Sequence, residues 1–252
     1  MNDLVWRLLI DAPQSGPKNM AVDEALLRVA DEKPDAARPI LRFYQWCPSA
    51  ISIGYGQQAE QFDYESYKEK GYGFVRRLTG GGAIFHHREL TFSFVAPVFT
   101  FGGTPDTDKV YSFLNLGLVE GLRLLGADVQ QRGCEDASRN DSATFCTVRT
   151  SPYDIVSSGR KLLGSAQRWT KRVVLEHGFL PIENNPLTPE VLSLRQLLGR
   201  EVDFTEMMES ICKGFRFECG VELEPGTLSS EEAKQADEFK LKYESDEWSF
   251  RR

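Results

Sequence analysis

Residues 74–97 read FVRRLTGGGAIFHHRELTFSFVAP. A strand-like run over 74–78 meets three consecutive glycines, Gly80, Gly81 and Gly82. Two more strand-like runs follow, AIFHH and LTFSFVAP. This predicts a sheet broken by a turn whose backbone is free of Cβ constraints. Glycine admits positive φ and lets a ligand come close to the main chain. Such a turn can aim several N–H groups at one oxygen or phosphate. A glycine triplet taken alone is also an ordinary tight turn or bulge.

On the N-terminal side, residues 5–11 read as a strand. Asn19 is predicted to cap a helix carrying Val22, Leu26 and Val29 on one face. Residues 40–46 and 50–55 read as strands separated by Pro48, and residues 63–70 as a short polar helix. On the C-terminal side, residues 108–125 form the longest helical stripe, with Val110, Leu114, Leu118 and Leu122 in register and Gly126 as terminator. Residues 153–156, 162–169 and 173–182 read as strands, with a bend at Ser157, Ser158 and Gly159. After Pro186 the pattern turns helical. A helix is predicted to start at Thr188-Pro189, another to span 205–217, and a charged one to follow the capping box of Ser229 and Glu232. The division is a body over 1–185 and a helical extension over 186–252 packed on the same domain. The fold class is α+β, a mixed β-sheet flanked by helices.

The 252 residues are 41% hydrophobic and 27% charged, enough for one large core. A net charge of −7 argues against nucleic acid as a partner. Arg76 and Arg77, and Arg168, Lys171 and Arg172, are local basic clusters that read as solvated surface. No run of eighteen apolar residues occurs, so no membrane span is predicted. The opening MNDLVWRLLIDAP does not read as a secretion signal, and a cytoplasmic monomer is expected. There are five cysteines and three histidines, with no CxxC and no metal-ligand spacing.

Residues 145–169, FCTVRTSPYDIVSSGRKLLGSAQRW, hold a thiol, Cys146, and an amine, Lys161. A free cysteine with a pKa near 8.5 is only about 3% thiolate at pH 7. A neighbouring ammonium enriches that nucleophile without any histidine. In isolation such a pair reads as a small buried hydrophobe and a surface charge.

Together these stretches resemble the biotin/lipoate protein ligase and octanoyltransferase superfamily. NMAVDEALL at 19–27 is similar to its first helix, and RRLTGGGAIFHHRELTFSF at 76–94 to its acyl-binding loop. GRKLLGSAQRW at 159–169 resembles its lysine segment, and KYESDEW at 242–248 also fits. The likeness is greatest to the cysteine-dependent octanoyltransferases of lipoate synthesis, because Cys146 lies upstream of the lysine segment. It implies a class II biotin/lipoate-ligase-like catalytic domain. It also implies an octanoyl-acyl carrier protein as donor, a thioester on the enzyme, and a lysine of a lipoyl domain as acceptor, such as the glycine cleavage H protein. Carried onto this chain, Cys146 is the nucleophile and Lys161 bonds the acyl carbonyl. Arg77, Gly80, Gly81 and Gly82 line the acyl slot. His86, Asp154, Gly164, Ser165 and Ala166 lie close by, with backbone N–H groups as oxyanion donors. His177 is read as structural. No cofactor or metal is implied on this route.

Gly82 stands where the cysteine transferases often have arginine, as in ATP-dependent lipoate ligases. The alternative is therefore a lipoate-protein ligase lacking the usual C-terminal domain and using ATP and magnesium. Asp154 is better spaced from Lys161 for the ligase motif than Arg139-Asn140-Asp141. Octanoyl relay between two lipoyl domains is a further version of the transferase.

Overall fold

A computed structural model describes residues 4–134, 150–189 and 191–251. Cys146 and Arg139-Asn140-Asp141 lie outside the described residues. The elements in chain order are β1 (Leu4–Ile10), α1 (Gly16–Glu32), β2 (Ile40–Tyr44), β3 (Ala50–Ile53) and α2 (Tyr64–Glu69). Then come β4 (Gly73–Arg76), β5 (Ile84–His86), β6 (Glu89–Pro97), α3 (Thr107–Leu124), β7 (Gln130–Gln131), β8 (Ile155–Ser157), β9 (Arg160–Trp169) and β10 (Val173–Pro181). The chain closes with α4 (Leu194–Leu198), α5 (Phe204–Cys219), β11 (Val221–Pro225), α6 (Ser230–Glu244) and α7 (Asp246–Ser249).

The large sheet runs β11-β1-β2-β6-β10-β9-β8-β7, and a small sheet runs β4-β3-β5. β1 pairs in parallel with β11 and β2, whereas β2, β6, β10 and β9 pair antiparallel in turn. The sheet is mixed and flanked by helices, as the α+β reading requires. Strand alternation decides what each face buries. On β6, Leu90, Phe92, Phe94 and Ala96 point into a core with Leu114 and Leu118 of α3 and Phe215 of α5. Val95 points the other way, into a second core with Met20, Ala25 and Leu26 of α1. The polar residues Thr91 and Ser93 alternate with the aromatics, so β6 presents them on the α1 side. The small sheet has its own core of Ile51, Ile53, Phe62 and Phe85.

Three local expectations are corrected. The first helix starts at Gly16 with Ser15 as cap, its hydroxyl accepting from the Lys18 N–H, not at Asn19. Pro17 fits that first turn because it has no N–H to satisfy. Asn19 sits inside the helix, buried, with its amide bonded to the carbonyls of Gln14 and Gln45. Second, Thr188-Pro189 lies in a turn, and the helix begins after Ser193, which forms a complete capping box with Gln196. Third, residues 221–225 form the edge strand β11 inside a stretch read as helical. Its Val221 and Leu223 are buried and its Glu222 and Glu224 exposed, a charged edge too short for its period to stand out. The capping box of Ser229 and Glu232 opens α6.

Candidate active site

The site forms where the small sheet covers the α1 side of the large one. The turn after β4 is held from inside by Arg77, which is 2% exposed. Its Nη2 donates to the carbonyls of Gly80 and Gly82, both at 2.7 Å. Its Nη1 donates to the Ser52 carbonyl at 3.0 Å, and its Nε to Thr79 Oγ1 at 3.1 Å. The planar fork of a guanidinium can serve these acceptors at once, which a lysine cannot. Gly54 permits the close approach of β3 to this turn. A Cβ at position 54 would stand 2.0 Å from the Gly81 carbonyl oxygen.

Two hydrogen-bonded relays leave Arg77, each passing through a histidine to a carboxylate. In the first, Thr79 Oγ1 lies 2.6 Å from His177 Nε2, and His177 Nδ1 lies 3.2 Å from Asp23 Oδ2. Burial pushes the Asp23 carboxyl up. The Arg42 charge, the His177 contact and the Ser93 hydroxyl together outweigh burial and hold the carboxyl below its ordinary value. Arg42 Nη1 reaches Asp23 at 2.7 Å. In the second relay, Arg77 Nη1 donates to Ser52 Oγ at 3.3 Å, Ser52 Oγ lies 2.7 Å from His86 Nε2, and His86 Nδ1 lies 2.6 Å from Glu89 Oε1. Burial lowers the His86 pKa against the pull of Glu89, which favours neutral imidazole. With Nδ1–H given to Glu89, His86 Nε2 accepts the Ser52 hydroxyl proton. The His86 ring also stacks on Trp46, with centroids 3.7 Å apart.

Between the relays lies a narrow cavity of about 20 Å³, lined by Met20, Trp46, Ile84, His177 and Phe179 among others. Its wall is largely apolar side chain, with the two imidazoles set into it. At Gly178 the wall meets β9, since a Cβ there would lie 2.9 Å from the Gly164 carbonyl oxygen. Gly164 in turn packs against Lys161. The Lys161 side chain is 8% exposed, and its Nζ lies 2.9 Å from Asp154 Oδ1. Asp154 Oδ2 accepts the Ser151 N–H at 2.8 Å.

β9 also supplies main-chain donors. It pairs with β10 over Gly164–Trp169, whereas β8 pairs with it only over Arg160–Leu163. From Gly164 on, every second backbone N–H points away from β10. Among the described residues, no strand pairs with that edge. A buried ammonium and unladdered N–H groups on β9 therefore lie one strand away from an apolar cavity lined by β10. Such an arrangement can stabilise negative charge on a carbonyl oxygen, and the apolar slot must widen to seat a fatty chain.

Residues 15–188 match the model of the lipoyl protein ligase A/B catalytic domain. The chain belongs to that family. Within it, the chain is 36% identical to Octanoyltransferase LipM of Kyrpidia tusciae, covering 98% of this chain and 99% of that one. It is 35% identical to LipM of Geobacillus kaustophilus, over 98% and 99%. Among solved structures it is similar to a T. acidophilum protein with bound lipoic acid, at 27% identity and TM-score 0.80, covering 97% and 98%. A lipoate-protein ligase A bound with ATP matches at 27% identity and TM-score 0.81 over the same shares.

Of the residues singled out in the sequence, Arg77, the three glycines and His86 come together around the turn. Lys161, Asp154 and Gly164 form a second group that meets the first through Gly178. Ser165 turns its hydroxyl to the opposite face, where it donates to Glu176 at 2.7 Å. Ala166 stands opposite His177 across the β9–β10 ladder. Sequence reasoning did not single out Asp23, Ser52, Thr79 and Glu89; it read His177 as structural, and His177 is buried and held by Thr79 and Asp23. His177 lines the cavity. Its partners are far away in sequence, so no local pattern marked it. Among the described residues, no group of three His, Cys, Asp or Glu side chains could hold a metal ion. No helix among them is long and apolar enough to cross a membrane.

Proposed function

We propose that this chain is an octanoyltransferase of lipoate biosynthesis that carries the acyl group from a thioester donor to a lysine of a lipoyl-domain protein. One observation carries the reading: an apolar cavity is lined by Gly178, Gly178 packs on the Gly164 carbonyl of the next strand, and the Lys161 ammonium lies against Gly164. The full-length likeness to the LipM octanoyltransferases supports it.

The chemical problem is amide formation in water. A carboxylate is inert to amines, so the acyl group must arrive activated. In the proposed route the Cys146 thiolate attacks the donor thioester carbonyl. A C–S bond forms to Cys146, and the donor's C–S bond breaks. The carrier thiol leaves with a proton. The acceptor amine then attacks the enzyme thioester, giving an amide, a free Cys146 thiol and no net change in oxidation state. Lys161 and the outward N–H groups of β9 face the oxygen that gains charge in both steps. The acceptor must first lose a proton, because with a pKa near 10.4 only about 1 lysine in 2,500 is neutral at pH 7. The donor is an acyl carrier protein and the acceptor a lipoyl domain such as the H protein.

Intact-mass spectrometry after exposure to octanoyl-carrier protein tests this. The wild type gains one octanoyl group that hydroxylamine removes, and Cys146→Ser gains none. Full transfer by Cys146→Ala in the absence of ATP would overturn the thioester route. Octanoylated H protein offered in place of the carrier reads out relay between lipoyl domains.

The similarity to ATP-bound lipoate-protein ligase A favours one second reading, ATP-dependent ligation. It predicts lipoate attachment that needs ATP and magnesium and is unchanged in Cys146→Ala.

A further inference from the structure

Asp154 has a second cationic neighbour besides Lys161. β7 and β8 pair antiparallel with Gln130 opposite Val156 and Gln131 opposite Ile155. The ladder continues one step, as the Arg132 N–H donates to the Asp154 carbonyl at 2.9 Å. Arg132 and Asp154 are therefore cross-strand neighbours, whose side chains share a face. The Arg132 side chain is 9% exposed, and its Nε lies 3.9 Å from Asp154 Oδ2. That Nε is buried and, among the described residues, has no hydrogen-bond partner.

This geometry is poor for stability. At 3.9 Å the pair is beyond hydrogen-bond reach, and a buried N–H without an acceptor is unfavourable. What survives at that distance is charge. Lys161 and Asp154 alone sum to zero, so their field around Gly164 is that of a dipole. With Arg132 the trio sums to +1. The Arg132 charge offsets that of Asp154, so the potential around Lys161 and Gly164 is more positive than the Lys161–Asp154 pair alone would make it.

We infer that Arg132 is a positioning residue for acyl transfer, acting through Asp154 to keep Lys161 able to stabilise charge on the acyl oxygen. The inference rests on the octanoyl-transfer reading. It gives β7, a strand of two residues far from the glycine turn in sequence, a part in the chemistry. Arg132 does not touch the acyl group. It acts by leaving Asp154 less able to hold Lys161 to itself.

The test compares full-length wild type, Arg132→Gln and Arg132→Lys in octanoyl transfer from octanoyl-carrier protein, with kcat, KM and unfolding midpoint measured for each. Loss of the charge should lower kcat about tenfold, less than the roughly hundredfold or more lost with a donor that touches the reacting oxygen, while KM for the donor stays within about twofold. Arg132→Lys keeps a cation beside Asp154 and should recover most of kcat. A purely structural role would lower the unfolding midpoint in both variants and leave no kcat-specific loss for lysine to rescue. Equal kcat in wild type and Arg132→Gln, or equal loss in both variants, overturns the inference. A wild type that transfers nothing from the carrier fails the octanoyl-transfer reading instead. The same three proteins are then compared with lipoate and ATP, where equal rates overturn the role of Arg132.

Discussion

Lys161 occupies the space that a side chain at Gly164 would need. A Cβ at position 164 would stand 2.5 Å from Lys161 Cε and 2.7 Å from its Nζ. The glycine three residues after the lysine is thus the room in which the ammonium lies folded back against its own strand. Gly164→Ala should expel Lys161 from its contact with Asp154. Displacing a reacting group by an ångström costs on the order of a hundredfold in rate. Octanoyl transfer should fall by about that factor in a steady-state assay, and a crystal structure of the variant should show the lysine moved. Unchanged transfer would show that the Lys161 position is immaterial.

Arg77 ties the glycine turn to both histidine relays. Arg77→Lys keeps the charge but not the fork, so carbonyls of the turn lose their donors. Leaving buried polar groups unpaired costs about 1–3 kcal/mol. Urea unfolding should show a loss of that size. Transfer should weaken as well, because the turn and both imidazoles lose their common anchor. A variant as stable and active as wild type would mean that the relays stand without it.

The octanoyl-transfer reading predicts selection by chain length. Each buried methylene contributes about 0.8 kcal/mol, so a donor four methylenes shorter than octanoyl forfeits roughly 3 kcal/mol, about two orders of magnitude in kcat/KM. Competition between butyryl and octanoyl carriers in one tube measures this. Met20→Trp should narrow the gap by filling the space that the longer chain uses.

Glu176 predicts how stability varies with pH. Burial pushes its carboxyl up to about 7 against the hydrogen bonds of Ser165 and Gln167. The folded protein then holds a proton that the unfolded chain releases from about pH 4.5 upward. Stability falls as pH rises through that window, by about 3 kcal/mol once both states are ionised. Urea unfolding at pH 5 and pH 8 should show the loss in wild type, and Glu176→Gln should flatten it. A wild type equally stable at both values would rule this assignment out.

Much of the architecture was legible because it is local. The stripe of Val110, Leu114, Leu118 and Leu122 marks α3, and the box of Ser229 and Glu232 marks the start of α6. The LTFSFVAP run alternates as a strand with two different faces, and β6 is one. What failed was local competition. Ser15, not Asn19, caps α1, because Asn19 is spent on the carbonyls of Gln14 and Gln45 and on Arg42. β11 escaped notice because two buried residues in a five-residue strand leave too short a period to read.

The chain's own order of residues determined the α+β class, the glycine turn and the lysine segment, each of which depends on neighbours a few positions apart. Only the tertiary structure decided which groups meet. His177 finds Asp23 across 154 positions and Thr79 across 98, and Asn185 reaches the carbonyl of Phe85 across 100. Periodicity says which face of a strand is buried and nothing about which strand lies beside it. The order β2-β6-β10-β9 and its register bring Arg77 and His177 to one cavity, with Asp23 bonded to His177 and Lys161 against Gly164 on the neighbouring strand.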